Sequence, residues 1–126
     1  MKSYKVAFIG YGKQGKKIEN NIKKNLGVSD VIIYHPKKKP ILKNKNYCTI
    51  NNFNNIIKSD IIIISSPNKT HAYYLNKLHK LGFNNYIFCE KPLCENKKDF
   101  KELKKFLKKF DKLYLNFNYR HSAISN

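Results

Sequence analysis

Three glycines near the start of the chain restrict its fold more than any other feature. Gly10, Gly12 and Gly15 have the spacing G-x-G-x-x-G. They follow the apolar, β-favouring run Tyr4–Ile9 and precede Lys16–Leu26, in which apolar residues recur at every fourth position. In such a strand–loop–helix unit the first glycine allows a tight turn, the second lets a pyrophosphate approach the backbone, and the third lets helix and strand pack closely. The motif predicts a dinucleotide-binding loop, with a purely structural glycine turn as the alternative; its residues are Gly10, Gly12, Lys13, Gln14 and Gly15.

The rest of the chain alternates between strand-like and helix-like segments. The segment Ile61–Ser65 is apolar on both faces, as expected for a central strand of a parallel sheet that is covered on each side. This alternation predicts a doubly wound parallel sheet of the α/β class, in a single Rossmann-type domain over residues 1–126. Further strands are predicted at 31–34, 47–50, 86–89 and 113–117, and helices at 51–58, 70–81 and 97–110.

The last predicted helix, 97–110, has one apolar face and one basic face. Its apolar face consists of Phe100, Leu103, Leu107 and Phe110, and lysines occupy the opposite side. We interpret the lysines as a solvated surface.

The end of the second predicted strand bears on the choice of cofactor. NAD-binding domains of this kind place a carboxylate about 20 residues after the glycine loop, where it binds the adenosine ribose. His35 stands at that position in this chain, and Lys37 and Lys38 follow it. The lysines could neutralise a 2′-phosphate, which favours NADP over NAD. The alternative is that the lysines reflect composition only and that NAD is accepted without the carboxylate.

Three later segments, taken in order after the glycine motif, resemble one family. They are residues 65–71 (SSPNKTH), residues 90–93 (EKPL) and residues 116–120 (NFNYR). Together they are similar to the N-terminal half of the glucose–fructose oxidoreductase/inositol dehydrogenase/MocA (Gfo/Idh/MocA) family. The resemblance implies an NAD(P)-dependent oxidoreductase that acts on a hydroxyl group of a sugar-like substrate. It also implies a second α/β domain, with an Asp and a His, that these 126 residues lack.

The resemblance assigns the catalytic role to the segment 90–93. Lys91 would place an ammonium beside the substrate hydroxyl and stabilise the alkoxide that develops there; the alternative is one more surface lysine. Glu90 would contact the nicotinamide ribose, and Pro92 would fix the turn that aims Lys91. Arg120, the one arginine of the chain, would lie at the mouth of the active site, where a planar guanidinium is needed.

The resemblance also implies that the segment 65–71 lines the cofactor. Ser65, Ser66, Pro67 and Asn68 would lie beside its ribose and nicotinamide half, at the carboxyl edge of the sheet. His71 would lie near the same crevice, with a packing or capping histidine as an equal alternative.

The large positive charge of the chain is weak evidence for a nucleic-acid-binding function. The formal net charge is +18, but all except one of the 26 basic residues are lysines, and Lys, Asn and Ile make up 57 of the 126 residues. Because this bias is spread over the chain, we expect no specific nucleic-acid partner. The apolar runs are too short to cross a bilayer, and the zinc-ligand spacing is absent, so neither a membrane nor a metal is expected. Three cysteines without a C-x-x-C pair indicate reduced thiols in a cytoplasm.

These observations predict the cofactor-binding domain of an NAD(P)-dependent oxidoreductase, with a dinucleotide and a sugar-like molecule as its ligands. The fragment alone is expected to be inactive. The alternative is a free-standing NAD(P)-binding module that serves as a sensor or partner subunit without catalysis.

Overall fold

The computed structural model describes residues 3–36, 46–48 and 50–115. Within them the chain forms a sheet of six parallel strands in the order β3-β2-β1-β4-β5-β6. The predicted doubly wound parallel sheet is therefore confirmed. The strands are β1 (Tyr4–Ile9), β2 (Val28–Tyr34), β3 (Asn46–Cys48), β4 (Ile61–Ile64), β5 (Tyr86–Cys89) and β6 (Leu113–Leu115).

Helices connect the strands and cover both faces of the sheet. The predicted helix 70–81 agrees with the α-helix over residues 71–80, and a short 3-10 helix over residues 68–70 directly precedes it. The described helices carry no apolar stretch long enough to cross a membrane. The α-helices are α1 (Lys13–Asn25), α2 (His71–Lys80) and α3 (Lys97–Lys104), and the 3-10 helices are Ile50–Lys58, Asn68–Thr70 and Leu107–Lys109.

The predicted helix 97–110 is wrong in its second half. α3 ends at Lys104, and Phe106 has a non-helical backbone with φ −135° and ψ −3°. This break turns Phe106 and Phe110 inward, and the Phe106 ring stacks on His79 of α2 at a centroid distance of 4.7 Å. Phe100, predicted to belong to the apolar face, is instead 47% exposed. Local aromatic packing thus outweighs continuation of the helix.

Strand β4 lies at the centre of the sheet and is buried on both sides. Ile61 and Ile63 pack in the cluster that includes the apolar residues of α1, whereas Ile62 and Ile64 pack in the cluster that includes those of α2 and α3. This arrangement confirms the prediction that 61–65 contains a strand covered on both faces.

The strands that run through the middle of the sheet end side by side. The Ser65 amide donates to the Ile9 carbonyl at 3.0 Å, and the Glu90 amide donates to the Ile64 carbonyl at 3.2 Å. The loops that follow β1, β4 and β5 therefore begin at the same edge of the sheet. Ligands of open α/β sheets bind in the crevice at this carboxyl edge.

Candidate functional site

Gly10 closes the turn directly after β1. Its φ is +84°, a conformation that side chains with a Cβ rarely adopt. A Cβ at this position would lie 2.6 Å from the Ser66 Cα atom, which is far inside contact distance. Glycine is thus required both by the turn and by the approach of the loop after β4.

Gly15 allows α1 to pack closely on the same two loops. A Cβ there would lie 3.2 Å from the Ser65 Oγ atom and 3.3 Å from the Tyr11 ring. The Ser65 hydroxyl donates to the Gly10 carbonyl at 2.7 Å and so ties the loop after β4 to the glycine loop. The third glycine therefore has the packing role that the motif predicts.

Gly12 differs from its two neighbours in the motif. Its φ of −105° is accessible to any residue, and a Cβ would meet no described protein atom within 4 Å. Gly12 therefore lacks the positive φ that requires glycine at position 10, and packing within the described residues does not require glycine here either. The open space beside Gly12 fits a ligand that approaches the backbone, as a pyrophosphate does in this motif.

The first turn of α1 is unusual in its charge. Gly12 is the N-cap and has no side chain to accept hydrogen bonds from the free amides, and Lys13 stands at the first helical position. A cation at this positive end of the helix dipole is unfavourable by itself. By contrast, α3 begins with Asn96, whose side chain accepts from the Asp99 amide at 2.8 Å. The start of α1 therefore leaves its first amides without a side-chain cap, and free amides of this kind are the groups that bind anions at helix N-termini.

A hydrogen bond joins the glycine loop to the segment after β5. The Gln14 Nε2 atom donates to the Glu90 Oε1 atom at 3.2 Å. The structure thus brings together two predicted cofactor residues that lie far apart in the sequence.

Tyr11 and Glu19 form a contact that the sequence analysis did not find. The Tyr11 hydroxyl donates to Glu19, which is 4% exposed, and the Lys23 Nζ atom lies 3.0 Å from the Glu19 Oε2 atom. Burial, and then the hydrogen bond to Glu19, raise the pKa of Tyr11. The Tyr11 ring also packs edge-on against Phe8 at 5.4 Å. The contact holds Tyr11, the first variable residue of the glycine loop, in place. In the sequence, its only sign is that Glu19 and Lys23 are spaced to lie on one face of the helix.

Hydroxyl groups order the loop after β4. The Thr70 hydroxyl donates to the Pro67 carbonyl at 2.6 Å and lies 2.7 Å from the Ser66 hydroxyl. Because the single Thr70 proton goes to Pro67, Ser66 donates to Thr70. Pro67 and Asn68 themselves are exposed at the carboxyl edge, which is where a contact with the cofactor is predicted.

His71 is the first residue of α2, and its side chain is fully buried. Its Nδ1 atom lies 2.6 Å from the Pro92 carbonyl oxygen and its Nε2 atom 2.9 Å from the Ser66 carbonyl oxygen. The backbone thus engages both ring nitrogens. This geometry favours the packing interpretation of His71 over direct contact with a cofactor.

Lys91 is exposed directly after β5, and the Lys91–Pro92 peptide bond is cis. Glu90, beside it, is half-buried and faces Gln14. Burial, followed by the charge of Glu90, raises the pKa of the preceding Cys89 thiol to about 12. At neutral pH this thiol is therefore protonated and is no nucleophile. The catalytic role of Lys91 stays a prediction.

Several predicted site residues have no described surroundings. His35 is half-buried just after β2, whereas Lys37, Lys38 and Arg120 lie outside the described residues. Their roles stay predictions. In the part of the chain that the structure describes, no group of three His, Cys, Asp or Glu side chains could hold a metal ion.

The fold is similar to that of sugar and cyclitol dehydrogenases. Scyllo-inositol dehydrogenase from Lactobacillus casei, solved with NAD(H) and scyllo-inositol, has 16% identity and a TM-score of 0.68 over 90% of this chain and 36% of its own. Myo-inositol 2-dehydrogenase from Lactobacillus plantarum has 22% identity and a TM-score of 0.67 over 90% of this chain and 36% of its own. D-galactose-1-dehydrogenase from Rhizobium etli has 20% identity and a TM-score of 0.66 over 86% of this chain and 35% of its own.

These identities establish the fold alone, and the chain spans only about a third of the length of the solved relatives that it matches. No curated protein sequence matches the chain. Residues 4–118, however, match the profile of the family described as "Oxidoreductase family, NAD-binding Rossmann fold". Since this match covers nearly the whole sequence, the chain belongs to the Gfo/Idh/MocA oxidoreductase family, of which it forms the NAD-binding Rossmann domain.

Proposed function

We propose that this chain binds NAD(H) or NADP(H) at the carboxyl edge of its sheet and serves an oxidoreductase that acts on a hydroxyl or carbonyl group of a sugar-like substrate. The observation that carries the proposal is the open space at Gly12. A Cβ there would meet no described protein atom within 4 Å, so packing among the described residues does not require glycine, and the space is available to a ligand. The relative from Lactobacillus casei, which contains NAD(H) and scyllo-inositol, supports both ligand classes.

In this proposal the glycine loop holds the phosphates. The backbone at Gly12 and the amides of the first turn of α1 would bind the pyrophosphate, and the Lys13 ammonium would add a charge-assisted contact. Pro67 and Asn68 would lie beside the nicotinamide half, together with Glu90 on the neighbouring loop. The bond between Gln14 and Glu90 keeps that carboxylate near the phosphate site.

Lys91 is the proposed catalytic residue. When bound, the nicotinamide ring supplies the hydride acceptor or donor. The exposed Lys91 ammonium would orient the substrate oxygen and stabilise negative charge on it as the carbon–hydrogen bond breaks in oxidation or forms in reduction. The buried, protonated Cys89 leaves this role to Lys91 on the segment after β5.

Binding of NADH is the direct test of the cofactor proposal. NADH is titrated into the chain and followed by calorimetry and by nicotinamide fluorescence. Saturable binding with one site per chain supports the proposal. Absence of binding by both methods contradicts it.

Substitution of Lys91 by methionine should remove catalysis but not cofactor binding. General acid–base groups of this kind contribute about 10²–10⁴-fold to a rate. NADH affinity should change by no more than about threefold, because the ammonium acts on the substrate oxygen. Because these 126 residues alone are expected to be inactive, formation of NADH from NAD is measured with a panel of sugars and cyclitols in a fusion that joins the chain to the part of a solved relative that it does not cover. Lys98→Met, at an exposed position of α3, is the matched control.

The same assay distinguishes the two functional hypotheses. If Lys91→Met is as active as the wild type, the catalytic assignment is wrong. If this fusion binds NADH but reduces NAD with no compound of the panel, the non-catalytic module becomes the better interpretation.

A preference for NADP is the finer part of the proposal. Lys37 and Lys38 would contact the 2′-phosphate, and two exposed charge-assisted contacts favour NADP by about tenfold at low salt. The alanine double variant of these lysines should lose the preference and keep its affinity for NAD.

Salt and a charge-matched variant control this experiment. The preference should shrink as the salt concentration rises, because exposed charges are screened. The control is the double alanine variant of Lys108 and Lys109, which removes the same charge from an exposed 3-10 helix. Equal affinity of the wild type for NAD and NADP at low salt would show that the lysines do not select the cofactor.

A further inference from the structure

The ring of His71 lies between the two loops that flank the proposed nicotinamide site. One ring nitrogen contacts the Ser66 carbonyl, which belongs to the loop after β4. The other contacts the Pro92 carbonyl, which belongs to the loop after β5. The ring is fully buried. Removal of the ring would therefore leave the half-buried Ser66 and Pro92 carbonyl groups without this hydrogen-bond partner, which costs more than the loss of a fully exposed hydrogen bond.

The chemistry of the two contacts fixes the direction of hydrogen bonding. Carbonyl oxygens only accept, so each ring nitrogen can act here only as a donor. A neutral ring makes one of the two bonds at a time, whereas a ring protonated on both nitrogens makes both. A ring that carries a proton on Nδ1, whether it is neutral or doubly protonated, donates to the Pro92 carbonyl at 2.6 Å and connects the start of α2 to the loop after β5.

Each loop is already tied to the glycine loop on its other side. The Ser65 hydroxyl donates to the Gly10 carbonyl, and Gln14 donates to Glu90. His71 adds the remaining link, between the loop after β4 and the loop after β5 themselves. Three loops thus form one closed frame, and Lys91 stands next to the residue whose carbonyl the ring holds.

We propose that His71 is a positioning residue: by holding the Pro92 carbonyl against the Ser66 segment, it sets Glu90 and Lys91 at the place where the nicotinamide half of the cofactor binds. This inference rests on the proposed function, since it assigns His71 a role in the same site. It does not require any contact between His71 and the ligand.

The proposal predicts that the two halves of the cofactor respond differently. ADP has the pyrophosphate that the glycine loop would bind but lacks the nicotinamide riboside. NADH has both halves. Loss of the His71 link should therefore weaken the binding of NADH and leave the binding of ADP nearly unchanged. A merely structural role would weaken the binding of both ligands in parallel.

The experiment compares the wild type with His71→Leu and His71→Gln, in the full chain. His71→Leu removes both donors and should lower NADH affinity about tenfold, with ADP affinity kept within about twofold. His71→Gln retains an amide donor and should recover part of the NADH affinity. His79→Gln is the control, because His79 lies on the same helix and packs on Phe106 instead of the loops.

A second measurement keeps the inference testable if the chain binds neither ligand, which would defeat the proposed function alone. Amide resonances of Ser66 and Lys91 in ¹⁵N-labelled protein report the position of the two loops, and both should shift in His71→Leu and remain near the wild-type values in His79→Gln. If His71→Leu does not fold, the same comparisons are made with His71→Gln. The proposal is overturned if the ratio of NADH to ADP affinity is unchanged in the His71 variant, whether both affinities fall in parallel or neither falls. Where no ligand binds, it is overturned if the loop resonances do not shift.

Discussion

Substitution of Gly12 by valine is expected to abolish NADH binding while the chain remains folded. No described protein atom lies within 4 Å of the position that a Cβ would take, so the Cβ of valine meets no steric conflict with the described residues. Its branched side chain would instead fill the space that the pyrophosphate needs. Overlap of this kind weakens binding by about 100-fold or more, and calorimetric titration with NADH and with ADP measures it.

Stability of the Gly12→Val variant is the control for this result. The φ of −105° is open to valine, so the cost is that of a poorer N-cap, about 1 kcal/mol. Urea unfolding should therefore show a transition close to that of the wild type. Unchanged affinity for NADH and ADP in a folded Gly12→Val protein would remove the glycine loop from the proposed site.

Substitution of Gly10 by alanine should have the opposite effect, a large loss of stability. The alanine would have to adopt a φ of +84°, and its Cβ would lie 2.6 Å from the Ser66 Cα atom. The left-handed conformation and the overlap with backbone atoms together cost about 3 kcal/mol or more, a large part of the stability of a small domain. The midpoint and slope of urea unfolding give the change in free energy.

The matched control for Gly10→Ala is Gly12→Ala, which adds the same methyl group two residues later. That methyl group enters open space, so its effect on the free energy of unfolding should stay near 1 kcal/mol. Equal unfolding midpoints for the two alanine variants would contradict the geometry described for Gly10. The pair separates the glycine that the fold needs from the glycine that the ligand needs.

Much of the fold could be predicted from local pattern. The bounds of β1 and β5 agree with the sequence prediction, because a short apolar run that ends in a turn or a polar residue defines a buried strand without further information. The helix over 97–110 could not be predicted in full. Apolar periodicity cannot register the stacking of Phe106 on His79, which belongs to another helix.

The candidate site shows the same division. The motif predicted that all three glycines matter, and the family resemblance of the segment 90–93 implied that Glu90 and Lys91 lie near the cofactor. Only the structure shows that Gln14 contacts Glu90, a pair separated by 76 residues in the sequence. Pairings at such distances depend on which strand ends lie side by side, and residue spacing carries no record of this.

The sequence by itself determined the order of strands and helices along the chain and the position of the glycine loop, since these depend on neighbouring residues and on the glycines between them. The tertiary structure alone decided what His71 does. The sequence left both a ligand contact and a packing role open for this residue, but the loop after β5 meets the start of α2, so the Pro92 and Ser66 carbonyls face its two nitrogens. Burial then makes those hydrogen bonds costly to lose.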